Sequence, residues 1–470
     1  MVGNRGWRRV GLLVCLLAVG PAWALEDAAI DQALRFSQQQ LAQSDASLRP
    51  GTYPKSTLPG GTWRTVPATD MIGWVQGFFP GSLWSLYELT GDAAWRTRAE
   101  AWTRPLEVQR FNRQTHDLGF KFMPSYGAAY RLTGQAEFKD VLLSAAESLA
   151  SRYDSRVGII DCCDWNPDWR LPLVVDTMVN LELLFWASRN GGRPEWNDMA
   201  LQHALTTLED LVRPDGSTFH VVDYEPGTGA IRFRKTFQGH ADDSTWTRGQ
   251  AWAMYGFTLT YRYTRDPRML DAARRVSDYY LSRLPLDAVP NWDFDAPTQS
   301  KDSSAAAIAA SALLELHLHE TDPVRKQRYR EAAVRMLESL TSSAYLAIGS
   351  NSRGILLHGV GNLPAGQEVD VSLIYGDYYF LEALLRYRQQ NPPVPPPQEP
   401  VPPTEPVPPQ EPVPPAPPQE PPPEEPVPPE PGPSEPEGKR GGGCAAAPGA
   451  ASLALGLMAF FVLRQRSRFR

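Results

Sequence analysis

The sequence predicts an all-α domain with the architecture of an (α/α)6 barrel, a ring of six helical hairpins. Between residues 25 and 391, a helix-like segment ends near an aromatic residue, a turn follows and a second helix begins, and this unit recurs about every 40 to 65 residues. Apolar residues follow helical spacing in residues 305–318 and 378–387, whereas convincing alternating strands are scarce. Because such hairpins must bury their apolar faces against neighbours, the alternative to a closed ring is an open helical solenoid.

The turns within this repeat carry residues that end one helix and begin the next. Gly91 and Gly134 suit the left-handed end of a helix, while Asp266 and Asp322, each followed by proline, suit the start of the next. The five turns lie at residues 87–92, 130–134, 186–188, 263–267 and 319–323.

In such a barrel the inner helices begin at one end, so we expect the functional residues at helix starts and in the loops before them. Polar and aromatic residues cluster at positions of this kind. They are Gly73-Trp74, His116-Asp117, Asp176, His220, residues 237–252 and Asp302-Ser303-Ser304.

The first 24 residues have the pattern of a secretory signal. Three arginines precede an apolar run from Val10 to Val19, and Ala22-Trp23-Ala24 supplies the small residues that a signal peptidase requires. We therefore expect residues 1–24 to be a signal peptide and the protein to be exported. A lipoprotein signal at Cys15 fits less well, because the residue before this cysteine is not small.

The C-terminal part changes composition abruptly. Residues 392–437 contain 25 of the 45 prolines and nine glutamates but no aromatic residue, so residues 392–443 are predicted to be a disordered, semi-rigid stalk. Residues 444–470 contain an apolar stretch followed by arginines, which predicts a membrane or surface-sorting helix. We expect cell-surface display or membrane anchoring through this tail, with release as a further outcome.

The charge of the middle segment argues against binding to large polyanions. Residues 25–391 contain 37 basic and 44 acidic side chains, so no broad basic face is predicted. Nucleic acid is therefore not an expected partner, and membrane contact is expected only through the tail. An acidic substrate must be recognised by a few local groups.

The cysteines do not form a disulfide framework. Cys162 and Cys163 are neighbours, and after signal removal only Cys444 remains besides them. The pattern favours two small packing residues, with a disulfide between the neighbours as the alternative.

Two carboxylates are the candidate catalytic residues. Asp176 opens a helix that is otherwise apolar, where burial would raise its pKa into the range that suits a proton donor. Asp117 stands in His116-Asp117-Leu118-Gly119-Phe120 and could supply the second, ionised carboxylate that cleavage of a glycosidic linkage uses. For Asp176 the alternative is simple helix capping, and for Asp117 a loop residue bonded to backbone amides.

Residues 236–252 are rich in groups that could hold an acidic sugar. If the latter part is helical, Arg248 and Trp252 lie four residues apart on one face and present a guanidinium beside a flat aromatic surface. The alternative is a packing contact between the two. No nucleotide-binding, serine-hydrolase or HExxH zinc motif is present, so neither a cofactor nor a metal is predicted.

Taken together, these residues resemble the unsaturated glucuronyl hydrolases of glycoside hydrolase family 88 over residues 30–390. The family fold is an (α/α)6 barrel, in agreement with the repeat of hairpins. The matching segments are residues 77–84, 116–120, 176–188, 238–252, 302–308 and 374–379.

The resemblance implies an unusual glycosidase. Enzymes of this family hydrate the C4=C5 double bond of a 4,5-unsaturated glucuronic acid at the non-reducing end of lyase-generated oligosaccharides, and the hemiketal that forms opens and releases the next sugar. By position, Asp176 matches the proton donor and Asp117 the second carboxylate. The positions that match substrate-binding residues are Trp74, His116, His220, Gln238, Arg248 and Trp252.

Other functions remain alternatives. They are an unsaturated galacturonyl or rhamnogalacturonyl hydrolase and a catalytically inactive surface protein that binds sugar. The resemblance carries no motif over residues 161–167 or 350–368, so it leaves linkage preference and sulfate tolerance open. Oligomeric state is not predicted.

Overall fold

The computed structural model describes residues 25–392. The predicted signal peptide (1–24), the predicted stalk (392–443) except for its first residue, and the predicted tail helix (444–470) lie outside the described residues. Within residues 25–392, none of the helices is both long enough and apolar enough to cross a membrane.

Two concentric sets of helices form the body of the molecule. The helices are α1 (Asp27–Ser47), α2 (Phe78–Thr90), α3 (Ala93–Thr103), α4 (Leu118–Phe122), α5 (Ala128–Thr133), α6 (Ala136–Ala150), α7 (Thr177–Asn180), α8 (Glu182–Arg189), α9 (Glu195–Asp210), α10 (Thr247–Thr264), α11 (Pro267–Ser282), α12 (Ser303–His319), α13 (Pro323–Leu340) and α14 (Ile374–Gln390). A short 3₁₀ helix covers Arg104–Gln109, and a π turn at Met123–Gly127 joins α4 to α5.

Burial separates inner from outer helices. Almost every side chain of α12 and of the first fourteen residues of α10 is buried, whereas α11 and α13 bury one face each. The inner ring consists of α2, α4 with α5, α7 with α8, α10, α12 and α14, and the outer ring of α1, α3, α6, α9, α11 and α13. Successive inner elements contact one another and α14 contacts α2, so the ring is closed and the open solenoid is excluded.

The predicted turn chemistry is confirmed at four of the five turns. Gly91 and Gly134 end α2 and α5 with φ of 71° and 69°. Asp92, Asp266 and Asp322 cap α3, α11 and α13, each through a side-chain oxygen that accepts a backbone N–H. The turn expected at residues 186–188 is wrong, because these residues lie within α8. Local turn residues therefore direct the chain from an inner to an outer helix at four of the connections.

The loops between outer and inner helices contain short antiparallel strands, so the expectation of a purely α-helical domain is wrong in this detail. The strands are β1 (Thr52–Thr57), β2 (Trp63–Pro67), β3 (Tyr153–Asp154), β4 (Ile159–Ile160), β5 (Pro172–Val174), β6 (Val221–Tyr224), β7 (Ile231–Lys235), β8 (Gly359–Asn362) and β9 (Gln367–Val371). They pair as β1-β2, β3-β4, β5-β6-β7 and β8-β9. Segments of two to six residues are too short for alternation to be recognised in sequence.

Candidate active site

A pocket of about 360 Å³ lies where the inner helices begin. The residues directly before α4, α7 and α10 contribute Asp117, Asp176 and Trp246 to its wall. The structure therefore brings together segments far apart in the chain. The predicted site residues that line this pocket are Trp74, His116, Asp117, Asp176, His220, Gln238 and Arg248.

Asp176 precedes α7, but its side chain does not cap that helix. Its Oδ2 is buried and accepts no hydrogen bond, and the side chain is 19% exposed toward the pocket. Burial raises the pKa of Asp176 to about 7; Arg248 opposes the rise and the Asp117 carboxylate adds to it. Helix capping therefore does not account for Asp176, whereas its environment suits a proton donor near neutral pH.

Asp117 precedes α4 and does not cap it either. Its carboxylate accepts a hydrogen bond from Thr115, whose Oγ1 lies 2.7 Å from Oδ2, and His116 Nε2 lies 3.2 Å from Oδ1. The carboxyl groups of Asp117 and Asp176 therefore lie in different environments.

Two buried histidines face these carboxylates. Burial lowers the pKa of His116, and it lowers the pKa of His220 to about 3, so both rings are neutral at neutral pH. Nδ1 of His116 lies 2.8 Å from Thr177 Oγ1, and Nε2 lies 3.2 Å from Asp117 Oδ1. Nδ1 of His220 accepts the backbone N–H of Phe237, so the proton is on Nε2, 3.7 Å from Asp176 Oδ2.

Close approach of α4 to α7 positions the two carboxylates at one end of the barrel. A Cβ added at Gly119 would lie 2.4 Å from the Cα of Asn180, so a larger residue cannot replace this glycine without separating the helices. The Asn180 side chain also accepts the backbone N–H of Phe120 at 2.8 Å. The glycine two residues after Asp117 therefore serves helix packing.

Arg248 lies in the pocket wall with only 1% of its side chain exposed. Nη1 donates to Asp302 Oδ2 at 3.0 Å and to the carbonyl of Val360, and Nη2 donates to the carbonyl of Gly361 at 2.7 Å. The guanidinium thus fastens the β8-β9 hairpin to the start of α12. Within the described residues, the buried Nε has no hydrogen-bond partner, and the positive charge is what Arg248 brings to the pocket wall.

Trp252 does not line this pocket. Its ring is fully buried and packs against Phe120 at 5.0 Å and Tyr379 at 5.2 Å between centroids. The expectation that Arg248 and Trp252 form one ligand-facing surface is therefore wrong. Because α10 is buried on all sides, a shared face at this spacing does not imply a shared pocket.

Aromatic rings form two walls of the pocket. Trp74 packs on Tyr375 at 4.7 Å between centroids on one side. At the mouth, Trp165 and Phe237 lie 4.9 Å apart and are 43% and 41% exposed, and Trp169 packs beside them. Exposed rings of this kind offer flat apolar surface to a ligand.

The loop that carries Trp165 begins with a disulfide between Cys162 and Cys163, both buried and both in the pocket wall. The preference for two free packing cysteines is therefore wrong, and the vicinal disulfide is present. The carbonyl of Cys162 accepts the backbone N–H of His116 at 2.9 Å, and Thr115 and Cys163 form an isolated antiparallel β-bridge. The disulfide loop thus braces the segment that presents Asp117.

Several charged residues that line the pocket were not predicted from the sequence. Asp70 accepts the backbone N–H groups of Ile72 and Gly73 at its rim. Lys55 pairs with Glu368 at 2.9 Å on the opposite side. Asp70 lies three residues before Gly73-Trp74, which was a usable signal, whereas Glu368 lies in a segment without a recognised motif.

The chain is similar to known proteins over most of the described residues. The family model described as Glycosyl Hydrolase Family 88 matches residues 55–383. An unsaturated glucuronyl hydrolase of Formosa agariphila is 43% identical over 343 residues, which cover 71% of this chain and 84% of that protein. An unsaturated chondroitin disaccharide hydrolase of Streptococcus pyogenes serotype M1 is 37% identical, with 69% of this chain and 83% of that protein covered.

Solved structures agree with these relationships. A crystal structure of an unsaturated glucuronyl hydrolase specific for heparin superimposes with a TM-score of 0.75 at 38% sequence identity, and the match covers 78% of this chain and 98% of the other. The shared architecture is the α/α barrel.

Proposed function

Because the chain belongs to glycosyl hydrolase family 88 and releases 4,5-unsaturated glucuronic acid from oligosaccharides, we propose that Asp176 and Asp117 are its catalytic pair. The observation that carries this assignment is their asymmetry in one pocket: within the described residues Asp176 is buried without a hydrogen bond to Oδ2, while Asp117 accepts a hydrogen bond from Thr115 and lies 3.2 Å from His116 Nε2. A protonated and an ionised carboxyl group side by side can divide proton donation from charge stabilisation.

The proposed reaction is hydration of the C4=C5 double bond. Asp176 donates its proton to C4, which leaves positive charge shared between C5 and the ring oxygen. The Asp117 carboxylate stabilises this charge. Water adds its oxygen to C5 and returns a proton to Asp176, so the enzyme is regenerated. The hemiketal at C5 then opens, and the hemiacetal left at C1 expels the neighbouring sugar.

The positions of the remaining pocket residues indicate their roles in binding the substrate and orienting the two carboxyl groups. His220 Nε2 lies 3.7 Å from Asp176 Oδ2 and His116 Nε2 lies 3.2 Å from Asp117 Oδ1, so each ring borders one carboxyl group and limits its movement. Trp74 supplies an apolar wall for the unsaturated ring, and Gln238 and Arg248 provide polar contact beside the β8-β9 hairpin. Arg248 attracts the uronate carboxylate through its charge.

We propose glycosaminoglycan-type fragments as the substrates. Relatives of this chain act on unsaturated chondroitin disaccharide, and one solved relative is specific for heparin. A structure of a Streptococcus agalactiae enzyme variant contains dGlcA-GalNAc6S, which is a fragment of the same class. A pocket of about 360 Å³ with an aromatic mouth is large enough for the terminal uronate and lets the next sugar extend outward.

A substrate panel tests this proposal. The ultraviolet absorbance of the C4=C5 bond should disappear with unsaturated disaccharides from chondroitin, hyaluronan or heparin and persist with unsaturated products of pectin. Loss of absorbance with the pectin products alone would assign the chain to galacturonyl chemistry instead. Binding of any of these sugars without absorbance loss would indicate an inactive sugar-binding protein.

We also propose that the protein is exported and held at the cell surface through its C-terminal tail. The basic and apolar start of the chain and the apolar stretch followed by arginines at its end support this location. Fractionation of cells that produce the complete chain tests it, with the chain ending at residue 443 as the control. Recovery of the complete chain in the cytosol would contradict the proposal.

A further inference from the structure

Lys121 is a buried charged residue directly behind the candidate catalytic pair. It lies in α4, one turn after Asp117, and its backbone N–H donates to the carbonyl of Asp117 at 3.1 Å. The side chain is 0% exposed. Residues four apart on a helix share a face, so the side chains of Asp117 and Lys121 lie on the same side of α4.

The hydrogen bonds of the Lys121 ammonium group do not neutralise its charge. Nζ donates to the carbonyl of Met71 at 3.2 Å and to Oε1 of Gln109 at 3.1 Å, and both acceptors are neutral. Gln109 in turn donates to the carbonyls of Ala68 and Asp70. A buried ammonium group is costly unless an anion balances it, so its presence among neutral acceptors requires a nearby carboxylate.

The charged groups around Lys121 belong to the site. Asp117 and His116 face it from the start of its own helix, and Asp70 faces it from the segment before α2. The neighbouring 3₁₀ helix presents the neutral Gln109. Across α7 stands Asp176, whose pKa responds to Asp117 and Arg248. Burial lowers the pKa of Lys121 to about 8, with Asp117 and Asp70 opposing the decrease, so the ammonium form predominates at neutral pH.

We propose that Lys121 is a positioning residue that keeps Asp117 ionised and in place while Asp176 carries the proton. This inference rests on the roles proposed above for the two carboxylates. A positive charge on the Asp117 side of the pair favours the ionised form of that residue and leaves the proton on Asp176. Lys121 touches no reacting atom and acts through Asp117.

The dependence of kcat/KM on pH tests the proposal. In Lys121→Met the positive charge beside the pair is lost, so the acidic limb of the profile should move to higher pH by about one unit. The alkaline limb, which reports loss of the proton from Asp176, should stay where it is. Lys326→Met removes an exposed lysine of α13 and should leave both limbs unchanged.

A uniform loss of activity at every pH, with the acidic limb unmoved, would show that Lys121 only fills space and would overturn the inference. If Lys121→Met does not fold, Lys121→Gln removes the charge but can still donate to the Met71 carbonyl, and the same shift is expected. Asp117→Asn and Asp176→Asn belong in the same series. Activity retained in either one contradicts the catalytic pair itself, whereas their loss together with an unmoved limb in the Lys121 variants contradicts only the role of Lys121.

Discussion

The imidazole of His220 directs Nε2 at Asp176, 3.7 Å from Oδ2. Its orientation is set from behind, since Nδ1 accepts the backbone N–H of Phe237 and the ring packs on Trp246 with 4.5 Å between centroids. At this distance the N–H group faces the carboxyl group of Asp176 without a hydrogen bond to it. The residue that faces the candidate acid therefore does not itself titrate near neutral pH.

His220→Phe keeps the ring shape and the contact with Trp246 but removes the N–H group that faces Asp176. We expect kcat to fall by about 10- to 100-fold with little change in Tm. Loss of ultraviolet absorbance from an unsaturated disaccharide measures the rate. His358→Phe, a change at an exposed histidine bonded to Asp370, is the control and should leave kcat unchanged. A kcat for His220→Phe equal to that of the wild type would refute the orienting role.

Asp176→Asn should keep the fold and abolish turnover, because an amide cannot donate the proton that starts hydration. Circular dichroism checks the fold and absorbance loss checks the rate. Retention of more than about a tenth of the wild-type kcat, a loss of less than roughly 1.4 kcal/mol in transition-state stabilisation, would show that another group is the acid.

The free energy of unfolding should depend on pH in a way that reflects the raised pKa of Asp176. Its pKa in the folded protein is about 7, above the value of 3.8 for an unperturbed carboxyl, so the folded state binds more protons between these values. The free energy of unfolding therefore falls as pH rises from about 4 to about 7. Burial likewise raises the pKa of Asp377 to about 7, which adds a second contribution of the same sign.

Asp176→Asn should remove one of these two contributions, worth up to roughly 4 kcal/mol at pH above 7. Urea unfolding at a series of pH values measures it. The variant should gain stability relative to the wild type as pH rises, and Asp302→Asn, which breaks the pair with Arg248, should not. A constant difference in stability between Asp176→Asn and wild type across this range would contradict the raised pKa.

Arg248→Lys should lower kcat/KM by at least about 100-fold, because a single ammonium nitrogen does not reproduce the planar fork whose two nitrogens bond Asp302, Val360 and Gly361. Since these bonds hold the β8-β9 hairpin, amide hydrogen exchange in residues 359–371 should also become faster. Arg268→Lys changes an arginine of an exposed ion pair and is the matched control. Unchanged kcat/KM and unchanged exchange would show that the hairpin does not depend on Arg248.

A chain that ends at Asn391 should fold and be as active per molecule as the complete protein. Helix α14 ends at Gln390, and Asn391 closes it by donating its backbone N–H to the carbonyl of Tyr387 at 2.9 Å. Proline follows directly and cannot continue the helix. Scanning calorimetry and activity assays compare this chain with one ending at Arg440. A Tm several degrees lower for the shorter chain would place the domain boundary later.

Local chemistry explains which parts could be predicted from the sequence. Gly91 and Asp266 act through their own turns, so their roles could be inferred from neighbouring residues. Asp117 and Asp176 could be located because helix starts converge at one end of a barrel. The bonds of Arg248 to Asp302 and Gly361 span 54 and 113 residues, and no local pattern encodes such partners. Trp252 was wrongly predicted to line the pocket for a related reason. Helical periodicity shows which residues share a face of a helix, but it does not show which other residues that face packs against.

Because α14 closes the ring against α2, the active site is complete only after the end of the barrel has folded. The pocket wall draws on Lys55 near one end of the barrel sequence and on Tyr375 near the other. During synthesis, the segment with Tyr375 emerges after every other part of the wall, so the nascent chain has no complete pocket. Activity therefore appears only when the last helix has docked.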